Sequence, residues 1–546
     1  MSYSASEIIA LRDAELSNDA QFRTLWQDTM DYIFPQATRV LSIGSPGERR
    51  TTQLFDQTAG LAARDMASGM SSLIIPTGKE FFGFKASNRQ LNLIAGNRRW
   101  MEMAAEHLHD ALFCSNFMLM WGATLKYIGI LGTCNLFSDF DIPNMKLNFK
   151  NFPIGSYQIL EDNNENVDTV MMTLRFTARQ AAQEFGEDKL SEKIRKALKE
   201  PKQANTKFEF IHYIGPRQDY NPKLRNAGNM PFESCFVDVS AKEKTDEGGY
   251  EEFPCAVARW SKNIGEKWGR GEGTEIVEAV KALQQMMKDL IECANRYNNP
   301  AREVIGNNLT GQVNNSPGAN NFVTEGMSIR ALDSGMQGNF PISKEMLEMQ
   351  RAMVNQAFYH NLFSQFTDLT GDRRTTVEIQ ARMREALRLT AVPVSHIETE
   401  LLTPTITRCL NLLVRNGVIE KPPPELSEQF FTVEYLGELG LALRNQQANA
   451  FADFAGVAMQ LAQVFPAAMD IPNMDRGLRR LAETRGVNVD DINTEEEVAA
   501  KQKERQQIQQ AQMAMQAIET GAKAYGQGKA APEEGSPAAE MMGTMK

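Results

Sequence analysis

Apolar residues recur with helical spacing through the first 135 positions. Ile8, Ile9 and Leu11 mark a helix over Ser6–Ser17. Phe22, Leu25, Trp26, Met30 and Ile33 mark a second over Asp19–Phe34, stopped by Pro35. A polar loop, SIGSPGERR (42–50), leads to an Ala-rich helix over Gln57–Leu73 that ends before Pro76, and the pattern resumes over Arg98–Ser115. From about 145 the period changes to two. Leu147 and Phe149 alternate with polar neighbours, and Tyr157–Glu161 and Val167–Phe176 form a hairpin around Asp162-Asn163-Asn164. Thr177 and Gln180 stand at capping-box spacing and open a short helix that closes at Gly186. Strands are expected at Lys207–Ile214, Glu233–Val239 and Tyr250–Arg259, with a charged loop, AKEKTDEGG (241–249), between the last two.

At Gly271 the helical period returns. Ile276, Val280, Leu283, Met287, Leu290 and Ala294 form one stripe on a long helix ending near Asn298-Asn299-Pro300. Turn-rich sequence with short strand-like runs follows, then a helix over Ser343–Phe363 and a polar loop at 365–372. Thr375 and Glu378 open a longer helix that runs to Asn416-Gly417 and contains Pro393 and Pro404. Each proline removes a helical hydrogen bond and clashes with the preceding turn, so a kink or break is expected at both. PPPE (422–425) marks a boundary before three further helices, Gly437–Val464, Asp475–Arg485 and Thr494–Ile518, and the tail from Gly521 has the composition of a disordered segment. The fold class is α+β and mainly helical.

Composition narrows the classes. The chain has 546 residues, 42% hydrophobic and 23% charged, which excludes a collagen-like or largely disordered polymer and predicts three or four folding units. Six cysteines are scattered singly with no C-x-x-C pair, which rules out a disulfide framework or structural zinc site and suits a reducing cytoplasm. The N-terminal MSYSASEIIALRDAELSND has acidic residues where a signal peptide is basic, and Phe117–Gly132 is short for a membrane span and holds Lys126, so no membrane association is expected. The net charge of −11 argues against a protein that wraps DNA, though not against one that surrounds it without gripping.

Catalytic motifs are weak. The five histidines are dispersed, and His107 and His109 point to different faces of a helix. PTGKE (76–80) lacks the second glycine and the Ser/Thr of a phosphate loop. GEKWGRGEG (265–273) places Ile276 where the last glycine of a dinucleotide fingerprint should fall, so it is a tight turn feeding a helix. No metal or cofactor is expected. The charge feature of interest is GDRRTTVEIQARMREALR (371–388), where Arg374 and Arg388 share a helical face, as nearly do Arg384 and Arg388. It is either a solvated or subunit-contact face, or a patch presented to a polyanion.

Four segments in order carry a family resemblance. They are DQTAGLAARDMASGMSSLIIPTGKEFFGF (56–84), FPIGSYQILEDNNENVDTVMMTLRFTARQAAQEFG (152–186), FPCAVARWSKNIGEKWGRGEG (253–273), and the segment 375–417 with its Thr-x-x-Glu-x-x-x-Arg start and Glu-Leu-Leu-x-Pro core. The chain resembles the portal (head-to-tail connector) proteins of short-tailed, podovirus-type bacteriophages, departing from them at Trp268, usually Tyr, and Glu272, usually Pro. The resemblance implies a wing over 1–270, stem helices at 271–298 and 343–364, a clip at 299–342, and a channel loop at 365–374. It further implies a kinked channel-wall helix over 375–429, a helical crown over 430–520 and a disordered tail at 521–546.

As a portal, the protein would form a ring of twelve at one capsid vertex of the virion, built in the host cytoplasm during assembly. Double-stranded DNA would pass through it without sequence readout. The terminase large subunit, tail adaptor or nozzle proteins, capsid and scaffolding proteins would dock on it, with core or ejection proteins at the crown. The residues implied at the channel are Thr370, Gly371, Asp372, Arg373, Arg374, Arg382, Arg384 and Arg388. The turn before the stem is Arg259, Trp260, Gly265, Glu266, Trp268, Gly269, Arg270 and Gly271. The alternative is another virion structural protein, a tail adaptor or capsid component; an enzyme would need motifs that the sequence lacks.

Overall fold

The computed structural model describes residues 3–42, 54–76, 80–88, 90–200, 202–221, 223–224, 227–298, 302–306, 328–331, 340–364, 388–427, 431–436, 451–461 and scattered positions to 515. The chain divides into two compact units, Met1–Gly440 and Leu441–Lys546. In the second, the backbone is helical at 451–461, 501–505 and 510–515.

The first unit is mixed helix and strand. Two N-terminal helices, α1 (Ala5–Asn18) and α2 (Ala20–Tyr32), precede α3 (Thr58–Ile74), α4 (Ala95–Phe113) and α5 (Phe117–Leu131). Ser4 and Glu7 close a complete capping box on α1. The apolar segment at 117–131 is a core helix, with Phe117, Trp121, Leu125 and Ile128 all buried. No helix among the described residues is long and apolar enough to cross a membrane.

Strands β2 (Thr133–Asp141), β3 (Lys146–Phe152) and β9 (Cys255–Arg259) form an antiparallel sheet with β2 at its centre. β4 (Tyr157–Glu161), β5 (Val167–Thr177), β6 (Lys207–Pro216), β7 (Phe232–Asp238) and β8 (Glu243–Tyr250) form a five-stranded antiparallel sheet in sequence order. Both of its faces are covered. Phe208 and Phe210 of β6 pack with α6 (Ala178–Phe185) and α7 (Glu192–Lys199), while Ile211 and Tyr213 pack with Ala5 and Ile8 of α1. Burial on both faces explains the nearly unbroken apolar run of β6. The capping box at Thr177 and Gln180 stands as expected.

β8 corrects the sequence reading, for most of AKEKTDEGG is strand, not loop. Its Glu243 and Glu247 face water while Thr245 is buried against the sheet. A charged edge strand deters pairing with other chains, and that composition hides its period. The expected Tyr250–Arg259 strand is correspondingly divided, Tyr250 ending β8 and β9 starting at Cys255. A further pairing joins β1 (Phe82–Ala86) to β12 (Phe431–Tyr435), from Phe82↔Tyr435 to Ala86↔Phe431.

The long helix α8 (Glu272–Asn298) buries Val277, Val280 and Leu283. It is followed by the antiparallel pair β10 (Arg302–Ile305) and β11 (Ser328–Ala331) and then by α9 (Phe340–Ala357), which returns along it. Gln284 and Arg351 show the alignment. The Gln284 amide accepts from Phe55 and Asp56 backbone N–H at 2.7 and 2.9 Å, and Arg351 pairs with the buried Asp56 carboxylate at 2.8 Å. The expected Ser343–Phe363 helix is broken. Tyr359 takes a left-handed φ of 54° between α9 and α10 (His360–Ser364), with Phe358 buried beneath it.

Residues 388–396 (α11) remain helical through Pro393. Ahead of Pro404 the helix widens into a π turn, Ile397–Leu402, before α12 (Thr403–Arg415). Thr403 N–H bonds to the Glu398 carbonyl, and its Oγ1 donates to the same oxygen at 2.8 Å. A proline needs this room, because its ring would strike the carbonyl of Glu400 one turn back. A short α13 (Pro424–Ser427) precedes β12.

Candidate functional site

The turn before α8 gathers the residues the sequence marked there, except Gly265 at its open tip. After β9, Trp260 N–H bonds to Gly132 O at 2.9 Å, and Arg270 N–H bonds to Ser261 O at 2.8 Å, closing the loop between them. At its tip Gly265 takes φ 84°, and Ile264 stands fully exposed. Glu266 and Arg270 pair at 2.7 Å, Lys267 reaches Asp19 at 3.0 Å, and Trp268 is buried edge-on to Trp26 at 4.8 Å.

The glycines here serve close packing of backbone. A Cβ on Gly269 would lie 2.3 Å from Gly132 O, and one on Gly271 would lie 2.6 Å from Gly132 N. Gly132 itself takes φ 91° and a Cβ there would meet Gly269 O at 2.3 Å. Gly269 N–H donates to Thr133 Oγ1 at 2.9 Å, and Gly271 N–H to Thr274 Oγ1 at 3.0 Å. The glycines ahead of α8 are therefore packed against the end of α5, with the Gly269 and Gly271 amides spent on Thr133 and Thr274.

Arg259 holds three carboxylate-bearing elements at once. Its guanidinium donates to Glu400 Oε1 at 2.7 Å and Oε2 at 3.2 Å, pairs with Glu161, and reaches Glu165 O at 3.2 Å; its backbone N–H donates to Glu400 Oε2 at 2.8 Å. Burial works against its charge, yet the Glu400 and Glu161 carboxylates hold its pKa above the ordinary guanidinium value. Lys262 completes the cluster at 2.8 Å from both Glu161 and Glu165. Glu400 sits on the π turn, so the cluster ties β9, the β4–β5 turn and the proline-bearing helix together.

Glu272, the first residue of α8, accepts from Trp260 Nε1 at 3.2 Å and from Tyr359 OH at 2.9 Å. Burial pushes its carboxyl pKa up, against the lowering effect of both donors. The left-handed turn at Tyr359 is thereby anchored to the start of the stripe helix.

The channel candidates Thr370, Gly371, Asp372, Arg373, Arg374, Arg382 and Arg384 lie outside the described residues. Arg388 is exposed at the start of α11. Sequence reasoning did not single out Glu161, Glu165 or Glu400 as partners of Arg259. Glu400 was visible only as the first residue of the Glu-Leu-Leu-x-Pro core, and nothing local links it to position 259.

The chemistry available is immobilisation. Burial pushes the thiols of Cys134, Cys235 and Cys409 up to about 12, so they are not poised nucleophiles. Burial lowers His212 to about 3, and it is stacked on Phe236 and bonded to Ser234 Oγ at 2.9 Å. Among the described residues no group of three or more His, Cys, Asp or Glu side chains could hold a metal ion.

The family model described as "Bacteriophage head to tail connecting protein" matches residues 6–492. The chain is 25% identical over 525 residues to the portal protein of Salmonella phage epsilon15, with 93% of each chain covered. It is 24% identical over 509 residues to the probable portal protein of Bordetella phage BPP-1, with 91% of each covered. A solved chain from the virion of a native gene transfer agent particle is 12% identical, covering 77% of this chain and 98% of its own at a TM-score of 0.30, a global overlap too low to compare folds.

Two outcomes are expected at this joint. Arg259→Ala strands Glu400 in a largely buried cluster and leaves Glu161 only Lys262, and should destabilise the fold by about 3 kcal/mol, measured by denaturant unfolding; a loss below about 1 kcal/mol would show the cluster to be incidental. Because the pKa of Glu272 is raised on folding, wild-type stability from this group is greatest in acid and falls as pH rises past the ordinary 4.5. Glu272→Gln, which keeps an accepting oxygen without charge, should flatten that fall, and a variant whose unfolding tracks wild type at every pH would refute the assignment.

Proposed function

This chain belongs to the family of bacteriophage head to tail connecting proteins, and on that premise we propose that it works as a phage portal, a structural protein and not an enzyme. Copies assemble into a ring, taken as twelve, at one vertex of the capsid. DNA enters and leaves through the central opening, the terminase motor docks during packaging, and tail adaptor proteins take its place afterwards. Residues 1–270 and 375–429 serve as wing and channel wall, 271–298 and 343–364 as stem, 299–342 as clip, 365–374 as channel loop and 430–520 as crown.

The observation that carries this reading is the antiparallel pair α8 and α9 with a two-stranded hairpin beyond it. Val280 and Leu283 of α8 and Leu347 and Val354 of α9 are buried. On the opposite side of α9, Met346, Met349 and Met353 are 54%, 74% and 54% exposed at helical spacing. A lone chain leaves this stripe in water, whereas a ring covers it with the neighbouring copy.

Purified protein should therefore show a native mass near that of twelve 61.2-kDa chains, about 734 kDa, and annular particles by negative stain. Met349→Glu with Met353→Glu should lower the mass to that of small species with unchanged far-UV circular dichroism. A compact assembly without a hole would return the adaptor or capsid reading to first place. Arg373 and Arg374, assigned to phosphate contact in the channel, should on joint substitution by Ala leave packaging intact and lower genome retention in assembled particles; unchanged retention would sink that role.

A further inference from the structure

The strongest charge feature outside the joint is the helical cap on the five-stranded sheet. Between 192 and 207 the sequence carries Lys193, Arg195, Lys196, Lys199, Lys202 and Lys207 against two acidic residues, Glu192 and Glu200, in a chain whose net charge is −11. Ile194 and Ala197 turn one side of α7 into the cluster with Phe208 and Phe210. The remaining arc of the helix, with Lys193, Arg195, Lys196 and Lys199, is exposed, and so are Lys202 and Lys207 beyond it. Lys207 opposes Thr177 across β5–β6, which places it beside the start of α6 and the exposed Arg179.

Compensation is sparse. Lys196 pairs with Glu192 at 2.7 Å, both side chains largely in water. Among the described residues no ion pair engages Lys193, Arg195, Lys199, Lys202 or Lys207. A solvated helix ordinarily balances its signs at i,i+4 spacing, and α7 does so at one pair, Glu192 with Lys196. Glu192 and Glu200 share this arc, but six basic residues against two acidic ones leave it a surplus of four positive charges in a protein otherwise negative, a local field that a polyanion would fill.

We propose that the exposed face of α7, continued by Lys202 and Lys207, is a second nucleic-acid surface that binds the phosphate backbone of double-stranded DNA without reading sequence. It is separate in the chain from the arginines at 373–388. Duplex DNA offers one charge per about 1.7 Å of axis, so a face of this size meets several phosphates at once. The choice of DNA over an acidic protein rests on the portal reading, which already brings that polymer alongside the chain. Contact would hold DNA lying along the helical cap; it needs no opening or ring geometry.

The test uses full-length protein and a short duplex of random sequence, with fluorescence anisotropy across a salt series. Reversing four charges by Lys193→Glu, Arg195→Glu, Lys196→Glu and Lys199→Glu should weaken binding at least about tenfold and flatten the slope of log affinity against log salt by about 3–4. The corresponding Gln variants should give a smaller change in the same direction, and circular dichroism should match wild type because all four positions are solvent-facing. Reversal at the exposed Arg99, Lys146, Lys223 and Lys421 serves as control and should leave most of the affinity. Equal losses in the control set, or DNA binding unchanged by reversal on α7, would overturn the proposal. So would reversal that abolishes binding of a polyglutamate probe, or assembly of the chain with itself, while DNA binding persists. Native mass measured on the same samples separates the two readings: an intact ring with unaffected DNA binding removes this surface and leaves the portal role, whereas absence of a ring with α7-dependent DNA binding does the reverse.

Discussion

At Gly132 two backbones meet with no room for a side-chain carbon between them, and the rest of the first unit is arranged around that contact. Four elements start or end within a few residues of it: α5, β2, β9 and α8. The Cβ positions at 132, 269 and 271 would each fall 2.3–2.6 Å from backbone atoms across the contact. Neither side can relax, because Gly132 takes a left-handed φ and Gly269 and Gly271 have their amides committed to Thr133 and Thr274. The direction in which α8 leaves the core is thereby set by main-chain packing, and side-chain repacking cannot readily alter it.

Charge then fastens to this point what backbone contact leaves free. Arg259, the last residue of β9, reaches Glu400 on a helix distant in sequence. Glu400 lies in a turn widened for Pro404, and widening shifts the register of the following helix relative to an ordinary one. The proline and the buried arginine are two halves of one arrangement: the first reshapes the turn that carries the carboxylate, and the second holds that carboxylate against the sheet. On the other side Glu272 gathers Trp260 and Tyr359, so the kink between α9 and α10 is referred to the same origin.

What the sequence revealed was local in cause. The boxes at Ser4–Glu7 and Thr177–Gln180, the hairpin at Asp162 and the stripe on α8 depend on residues a few positions apart, and the periodicity of side chains reports them directly. β2 escaped because Asn135 and Ser138 are buried polar residues that break the alternation of a central strand. β8 escaped because an edge strand needs charge. The β1–β12 pairing, and the match of Arg259 to Glu161 and Glu400, join parts of the chain that no window can contain. For the joint, the glycine run was legible as a tight turn feeding a helix, but the Gly132 main chain that it packs against, over a hundred residues away, was not.

The buried titratable groups decide between catalysis and architecture. Perturbed groups gather at active sites, but there they face a space where a substrate can stand. Here burial shifts Glu272 and His212 and the paired carboxylates shift Arg259, and each group is engaged with fixed partners: Glu272 with Trp260 and Tyr359, Arg259 with Glu400 and Glu161, and His212 on β6 with Ser234. Apolar surface left uncovered lies on two helices. Met346, Met349 and Met353 on α9, with Leu389 and Val392 on α11, expose apolar side chains at helical spacing. Stripes of this kind on two helices, in a chain of the head to tail connecting family, are surfaces that a neighbouring copy would cover if the proposed ring forms.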